Sequence, residues 1–107
     1  MREIKIGNEE VRVKATPLAL LFYKKEFKSD LLGDLLKMSD VEKDLSKFDT
    51  ISILQLIWAM AKADNYGKQF PSFEKWLSKF ESLDLTDESF MVAALEEATD
   101  GFLHKRK

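Results

Sequence analysis

The chain has 107 residues, of which 45% are hydrophobic and 11% aromatic, so it is long enough and apolar enough to form one folded domain. Its 17 basic residues against 19 acidic residues give a net charge of −2, which excludes a general attraction to nucleic-acid backbones. Cysteine is absent, which excludes disulfides and thiolate chemistry and is typical of a reducing compartment. We expect a single cytoplasmic domain over residues 1–107.

Two short segments near the N-terminus predict strands. Residues 2–6 and 11–15 alternate charged and apolar side chains, which is the period of a half-buried strand. Residues 7–10, Gly-Asn-Glu-Glu, favour a tight turn, so we expect an antiparallel hairpin over residues 2–15. The same alternation leaves no uninterrupted apolar stretch of the kind that an export signal requires.

A helix is expected from Pro17 to about Lys28. Thr16 is suited to capping the free amides, and Pro17 fits the first helical position because its missing N–H is not needed there. Ser29-Asp30 predicts the start of a second short helix. The apolar face of that helix would carry four leucines: Leu31, Leu32, Leu35 and Leu36.

The middle of the chain changes from polar to strongly apolar. Residues 39–50 are rich in charged side chains and predict a loop or a frayed helical turn. Ile51–Ala63 is apolar on nearly every side, which predicts a buried central helix. Thirteen residues are too few for the ~20 that span a bilayer, so no membrane contact is expected.

Two more helices complete the predicted helical part, residues 17–106. Asn65-Tyr66-Gly67 favours a helix end, and Pro71-Ser72 favours a new start for a helix that carries Phe73 to Phe80. A last helix is expected after Thr86. The predicted fold is therefore α+β, mainly α, with an N-terminal β-hairpin packed on about five helices.

The sequence contains no pattern that predicts catalysis, a metal or a cofactor. The single histidine, His104, lies in a basic terminus, where a nucleophile and its supporting groups are missing. The acidic run from Asp40 to Asp44 resembles the start of a calcium loop, but Leu45 and Ile51 occupy the positions that require Gly and Glu. We expect no enzyme activity, no catalytic residue, no metal site and no cofactor.

Two smaller charge patterns do not indicate a binding site. Glu96 and Asp100 share a helix face and favour a solvated surface over a metal site. Lys24, Lys25 and Lys28 are interleaved with acidic residues, which disfavours nucleic acid as a partner. The alternative to a protein-binding function is a small phage or bacterial regulator that contacts DNA.

Aromatic side chains in the connection after the central helix are the candidate binding residues. Tyr66 and Phe70 lie there, and aromatics in such a connection are either tucked into the core or exposed as anchors for a partner. We take both as candidate partner-binding residues. Truncation of either to alanine is expected to weaken partner binding without loss of stability if it is an anchor.

Three segments resemble the tail assembly chaperones of long-tailed phages and prophages of Gram-positive bacteria. They follow the Ile/Val hairpin and together span most of the chain: Thr16-Pro17 with the helix end Tyr23-Lys24-Lys25-Glu26-Phe27-Lys28-Ser29-Asp30-Leu31-Leu32, then Leu56-Ile57-Trp58-Ala59-Met60-Ala61-Lys62-Ala63, then Pro71-Ser72-Phe73-Glu74-Lys75-Trp76-Leu77.

The resemblance implies a non-enzymatic assembly factor. Such a protein would bind the tape-measure protein in several copies, keep its long helix soluble and help recruit tail-tube subunits in the host cytoplasm. It would be absent from the mature virion, and self-association is plausible because identical copies line one client. The family commonly makes a longer form by ribosomal frameshifting, and this chain resembles the short form.

Overall fold

A computed structural model describes residues 2–6, 9–31, 33, 50–80 and 89–103. The described elements are β1 (Arg2–Ile6), β2 (Glu9–Val13), α1 (Pro17–Phe27), α2 (Thr50–Asp64), α3 (Phe73–Ser78), α4 (Ser89–Ala98) and a π-helical turn (Thr99–Leu103). The α+β class dominated by helices is confirmed. About five helices were expected, and the described residues form four, because most of the predicted helix after Ser29-Asp30 lies outside them.

The strands pair as the predicted antiparallel hairpin, but β2 begins two residues earlier than expected. Ile6 pairs with Glu9, so only two residues separate the strands, as in the commonest hairpin turns. Beyond Val13 the ladder stops because the Lys14 amide donates to the Met60 carbonyl of α2, at 3.1 Å. The predicted strand over residues 11–15 is therefore wrong at both of its ends. One face is buried, with side chains of Ile4, Ile6, Val11 and Val13.

Helix α1 begins at Pro17, as predicted, but the predicted side-chain cap is not formed. The Thr16 hydroxyl neither donates nor accepts a hydrogen bond at the helix start, and its oxygen is buried without a partner. The Thr16 backbone carbonyl instead accepts from the Ala19 amide at 2.9 Å. At the other end, Lys28 adopts a left-handed conformation (φ 56°) and its amide bonds to the Lys24 carbonyl, which closes the helix.

Helix α2 is the centre of the core, as the sequence predicted. It contacts α1, β2, α3 and α4, and its residues from Leu56 to Ala61 are all buried.

Trp58 of α2 joins several elements. Its indole N–H donates to the Pro71 carbonyl at 3.1 Å, which fixes the chain segment that leads into α3. The Phe27 ring packs edge-on against Trp58 and Phe73, at 5.5 and 5.1 Å between centroids. These rings join α1, α2 and α3.

Helix α4 is attached to the start of the hairpin. The Arg2 guanidinium donates to Glu96, Glu97 and Asp100, at 3.0, 3.5 and 3.5 Å. Glu97 is 8% exposed and also accepts from the Ala15 amide at 3.1 Å. In the following turn, a Cβ on Gly101 would lie 2.7 Å from the Ala15 carbonyl oxygen, so only glycine allows this close approach.

Candidate partner-binding site

The connection between α2 and α3, residues 65–72, begins as an ordered turn. The Asn65 side-chain amide donates to the Ala61 carbonyl at 2.9 Å and so satisfies one of the last carbonyls of α2. The Tyr66 amide donates to Ala63, and the Lys68 amide to Asn65, at 3.2 and 3.0 Å. Gly67 has a φ of 92°, a conformation that side chains disfavour. The predicted end of the central helix is thus confirmed, and its turn has a defined backbone.

Tyr66 is displayed on this turn. Its side chain is 69% exposed, whereas every other aromatic residue in the described parts of the chain is buried or half-buried. The turn hydrogen bonds hold the backbone on both sides of the ring, so a partner would order little more than the side chain itself. Exposed tyrosine combines a large apolar ring with few rotatable bonds, which makes it a frequent interface anchor.

Phe70 has a different environment from Tyr66. It is half-buried, and its ring centroid lies 6.4 Å from that of Trp58. One part of the ring therefore packs on the core, while another part lines a surface cleft. The two residues that the sequence singles out are near each other along the chain, but only Tyr66 is largely free of the core.

The cleft beside Phe70 has a volume of about 190 Å³. It lies between β2 and the end of α3. Helix α2 contacts both of these elements and also contributes to the lining. The lining residues are Glu9, Glu10, Val11, Arg12, Ala61, Asn65, Phe70, Trp76, Lys79 and Phe80. Sequence reasoning missed all of these except Phe70. The alternation of β2 and the helical spacing of α3 identified their apolar residues as core, but no sequence signal places the two elements side by side.

Charges of both signs lie around the cleft. Arg12 on the hairpin forms an ion pair with Asp64, at 3.6 Å, which offsets its charge. Glu9, also on the hairpin, and Lys79, at the end of α3, are both exposed and do not pair with each other. The hairpin side therefore carries carboxylate charge, and the α3 side carries an ammonium.

The other charged candidates have structural roles or lie outside the described residues. Glu96 and Asp100 are both bonded to Arg2, and the described parts of the chain contain no group of three acidic or histidine residues that could hold a metal. In α1, Lys24 and Lys25 directly precede Glu26, whose carboxylate accepts from the Phe73 amide at 3.0 Å. The acidic run at residues 40–44 and His104 are outside the described residues.

No helix in the described ranges is both long and apolar enough to cross a bilayer. No protein-family model matches the chain, and no match was found among curated proteins or among solved structures.

Proposed function

We propose that this chain is a tail assembly chaperone of a long-tailed phage or prophage. In this function it has no enzyme activity, binds the tape-measure protein in the host cytoplasm and helps recruit tail-tube subunits, without entering the mature virion. The observation that carries the proposal is the exposed ring of Tyr66, which lies between the second and third segments of the resemblance.

The positions of those segments support a division between scaffold and surface. Leu56–Ala63 is the most buried part of α2, and the segment from Pro71 to Leu77 contains the Ser72 cap and most of α3. Ser72 accepts from the Lys75 amide at 3.4 Å, as a helix cap does. These segments build the framework that holds residues 65–70 at the surface. A binding protein of this type would place its contact residues on such a connection.

A chaperone for a long helical client needs adaptable but specific contacts. An exposed aromatic ring beside a cleft provides an anchor and a pocket within one small surface. Binding several copies along one client would add avidity without requiring a large interface for each copy. Self-association of the chain is part of the proposal for the same reason, since neighbouring copies on one client would lie close together.

The proposal is tested by co-expression with the cognate tape-measure protein that this function requires. We expect a soluble complex that contains several copies of the chain for each client, measured by pull-down and by size exclusion with light scattering. Tyr66→Ala should weaken the complex by about tenfold or more, as expected for an anchor residue. Tyr66→Phe should retain most of the affinity, because the ring remains.

Leu21→Ala is the matched control for that variant. Leu21 is an apolar residue of α1 that is 48% exposed, so its truncation removes exposed apolar surface away from the turn. If the wild-type chain leaves the client aggregated and unbound, the chaperone proposal is wrong. Salt-sensitive binding to duplex DNA instead would support a DNA-contacting regulator.

A further inference from the structure

The cleft beside Phe70 has the size of a pocket for one side chain. The cleft measures about 190 Å³ and is open to solvent, so it has room for one side chain of a partner. Its lining is slightly more polar than apolar, and the apolar part comes mainly from Val11, Phe70, Trp76 and Phe80. These apolar residues offer a contact surface for one large apolar side chain, and charged residues surround it.

The hairpin register gives the cleft a carboxylate at one rim. Glu9 pairs directly with Ile6, and residues directly opposite in an antiparallel pair share one face of the sheet. Ile6 and Val11 are buried on that face, so Glu9 lies on the inner side of the hairpin. The same face carries apolar residues elsewhere in β2, and Glu9 has no ion-pair partner in the described residues.

A cation lies at the end of α3. Lys79 lines the same cleft, is exposed and has no ion-pair partner within the part of the chain that the structure describes. Phe80, the next residue, is half-buried and also lines the cleft. The cleft therefore has unpaired carboxylate charge on β2, where Arg12 is paired with Asp64, and an ammonium on α3, with apolar side chains in the same lining.

We infer that the cleft binds a helical segment of the client that carries one large apolar side chain with a basic residue on one side and an acidic residue on the other. The apolar side chain enters beside Phe70, the basic residue lies against Glu9, and the acidic residue lies against Lys79. The segment is taken as helical because the proposed client is a long helix, and charges four residues before and after an anchor share its helix face. The client's identity rests on the proposed function, whereas the chemistry of the cleft does not.

Designed helical peptides test this inference without any tape-measure sequence. Three labelled peptides share one phenylalanine anchor and differ only at the two flanking positions: lysine with glutamate, two lysines, or two glutamates. We expect the mixed peptide to bind about threefold more tightly than either uniform peptide at low salt, as for exposed charge pairs, and the preference to fall as salt is added. An anchor changed to alanine should abolish binding. Fluorescence anisotropy measures all four affinities.

Single charge reversals in the chain should change the preferred peptide. With Lys79→Glu both rims are acidic, and the peptide with two lysines should become the tightest ligand. With Glu9→Lys both rims are basic, and the peptide with two glutamates should become the tightest. Glu74→Lys is the matched control, since Glu74 is an exposed carboxylate of α3 outside the cleft lining, and it should leave the order unchanged.

The outcomes separate this inference from the proposed function. If no peptide binds, or if the order stays the same in both reversed variants while their thermal unfolding is unchanged, the inference is overturned. Self-association that is abolished by Glu9→Lys would also overturn it, because a second copy would then occupy the cleft. Peptide selectivity without tape-measure binding would refute only the chaperone function, and tape-measure binding without selectivity would refute only the inference.

Discussion

The hairpin meets the helical part at both of its ends, and the two contacts differ in how their polar groups are paired. At the end formed by Arg2 and Ala15, α4 closes against the strands through ion pairs and a buried carboxylate, Glu97. At the other end, Glu9 borders an open cleft and has no ion-pair partner among the described residues. Burial makes an unpaired charge costly, whereas solvent tolerates one. The first end therefore contributes to stability, and the second stays open to solvent.

The largest expected effect is at the closed end, where the backbone approaches most closely. Gly101→Ala would place a Cβ against Ala15, whose carbonyl oxygen lies 2.7 Å from that position. Since backbone atoms must move, we expect a loss of about 2–3 kcal/mol in the free energy of unfolding. Chemical denaturation measures it. The control is Gly67→Ala, where no atom lies within 4 Å and only the positive φ opposes the change, at a cost of about 1 kcal/mol.

Removal of the buried carboxylate should have the next largest effect. Glu97→Ala leaves the Ala15 amide and the Arg2 guanidinium without this acceptor, and we expect a loss of about 2 kcal/mol, since Arg2 is partly solvated. Glu97→Gln keeps one acceptor oxygen and should lose about half as much. Denaturation in urea measures both variants. A change below that seen for an exposed carboxylate such as Glu74→Gln would contradict the pairing described here.

The smallest effects on stability are expected at the open end, and they should separate the two candidate binding residues. Phe70→Ala should lose about 1–2 kcal/mol, because half of the ring packs near Trp58. Tyr66→Ala should change stability by less than about 0.5 kcal/mol, because the ring is 69% exposed. Thermal unfolding compares the two. Equal losses would show that Tyr66 is also part of the core and would remove the main support for its role as an anchor.

The sequence left that separation open. Tyr66 and Phe70 occupy the same connection, and both were expected either to pack in the core or to be exposed. Their local sequence cannot distinguish them, since each lies near a turn residue, Gly67 or Pro71. The distinction arises from Trp58 of α2, which lies next to Phe70 in space.

Two predictions of local structure also differ from the structure. Thr16 has the residue type and position of a helix cap, yet its hydroxyl is buried without a partner and the helix start uses the backbone carbonyl instead. The second strand ends at Val13 because the Lys14 amide bonds to Met60 of α2. At the strand end a carbonyl of another element decided which hydrogen bond formed, whereas at the helix start the carbonyl of Thr16 itself accepts from an amide that its hydroxyl could have capped.

The sequence by itself determined the hairpin, the start of α1, the buried central helix and the helix end before Gly67, because each follows from a local period or from the backbone preferences of Pro and Gly. Only the tertiary structure decided which end of the hairpin is closed by ion pairs, which aromatic side chain stays exposed and that β2 and α3 border one cleft. These features depend on groups far apart in the sequence, such as Arg2 and Glu97 or Val11 and Phe80, whose proximity no local pattern encodes.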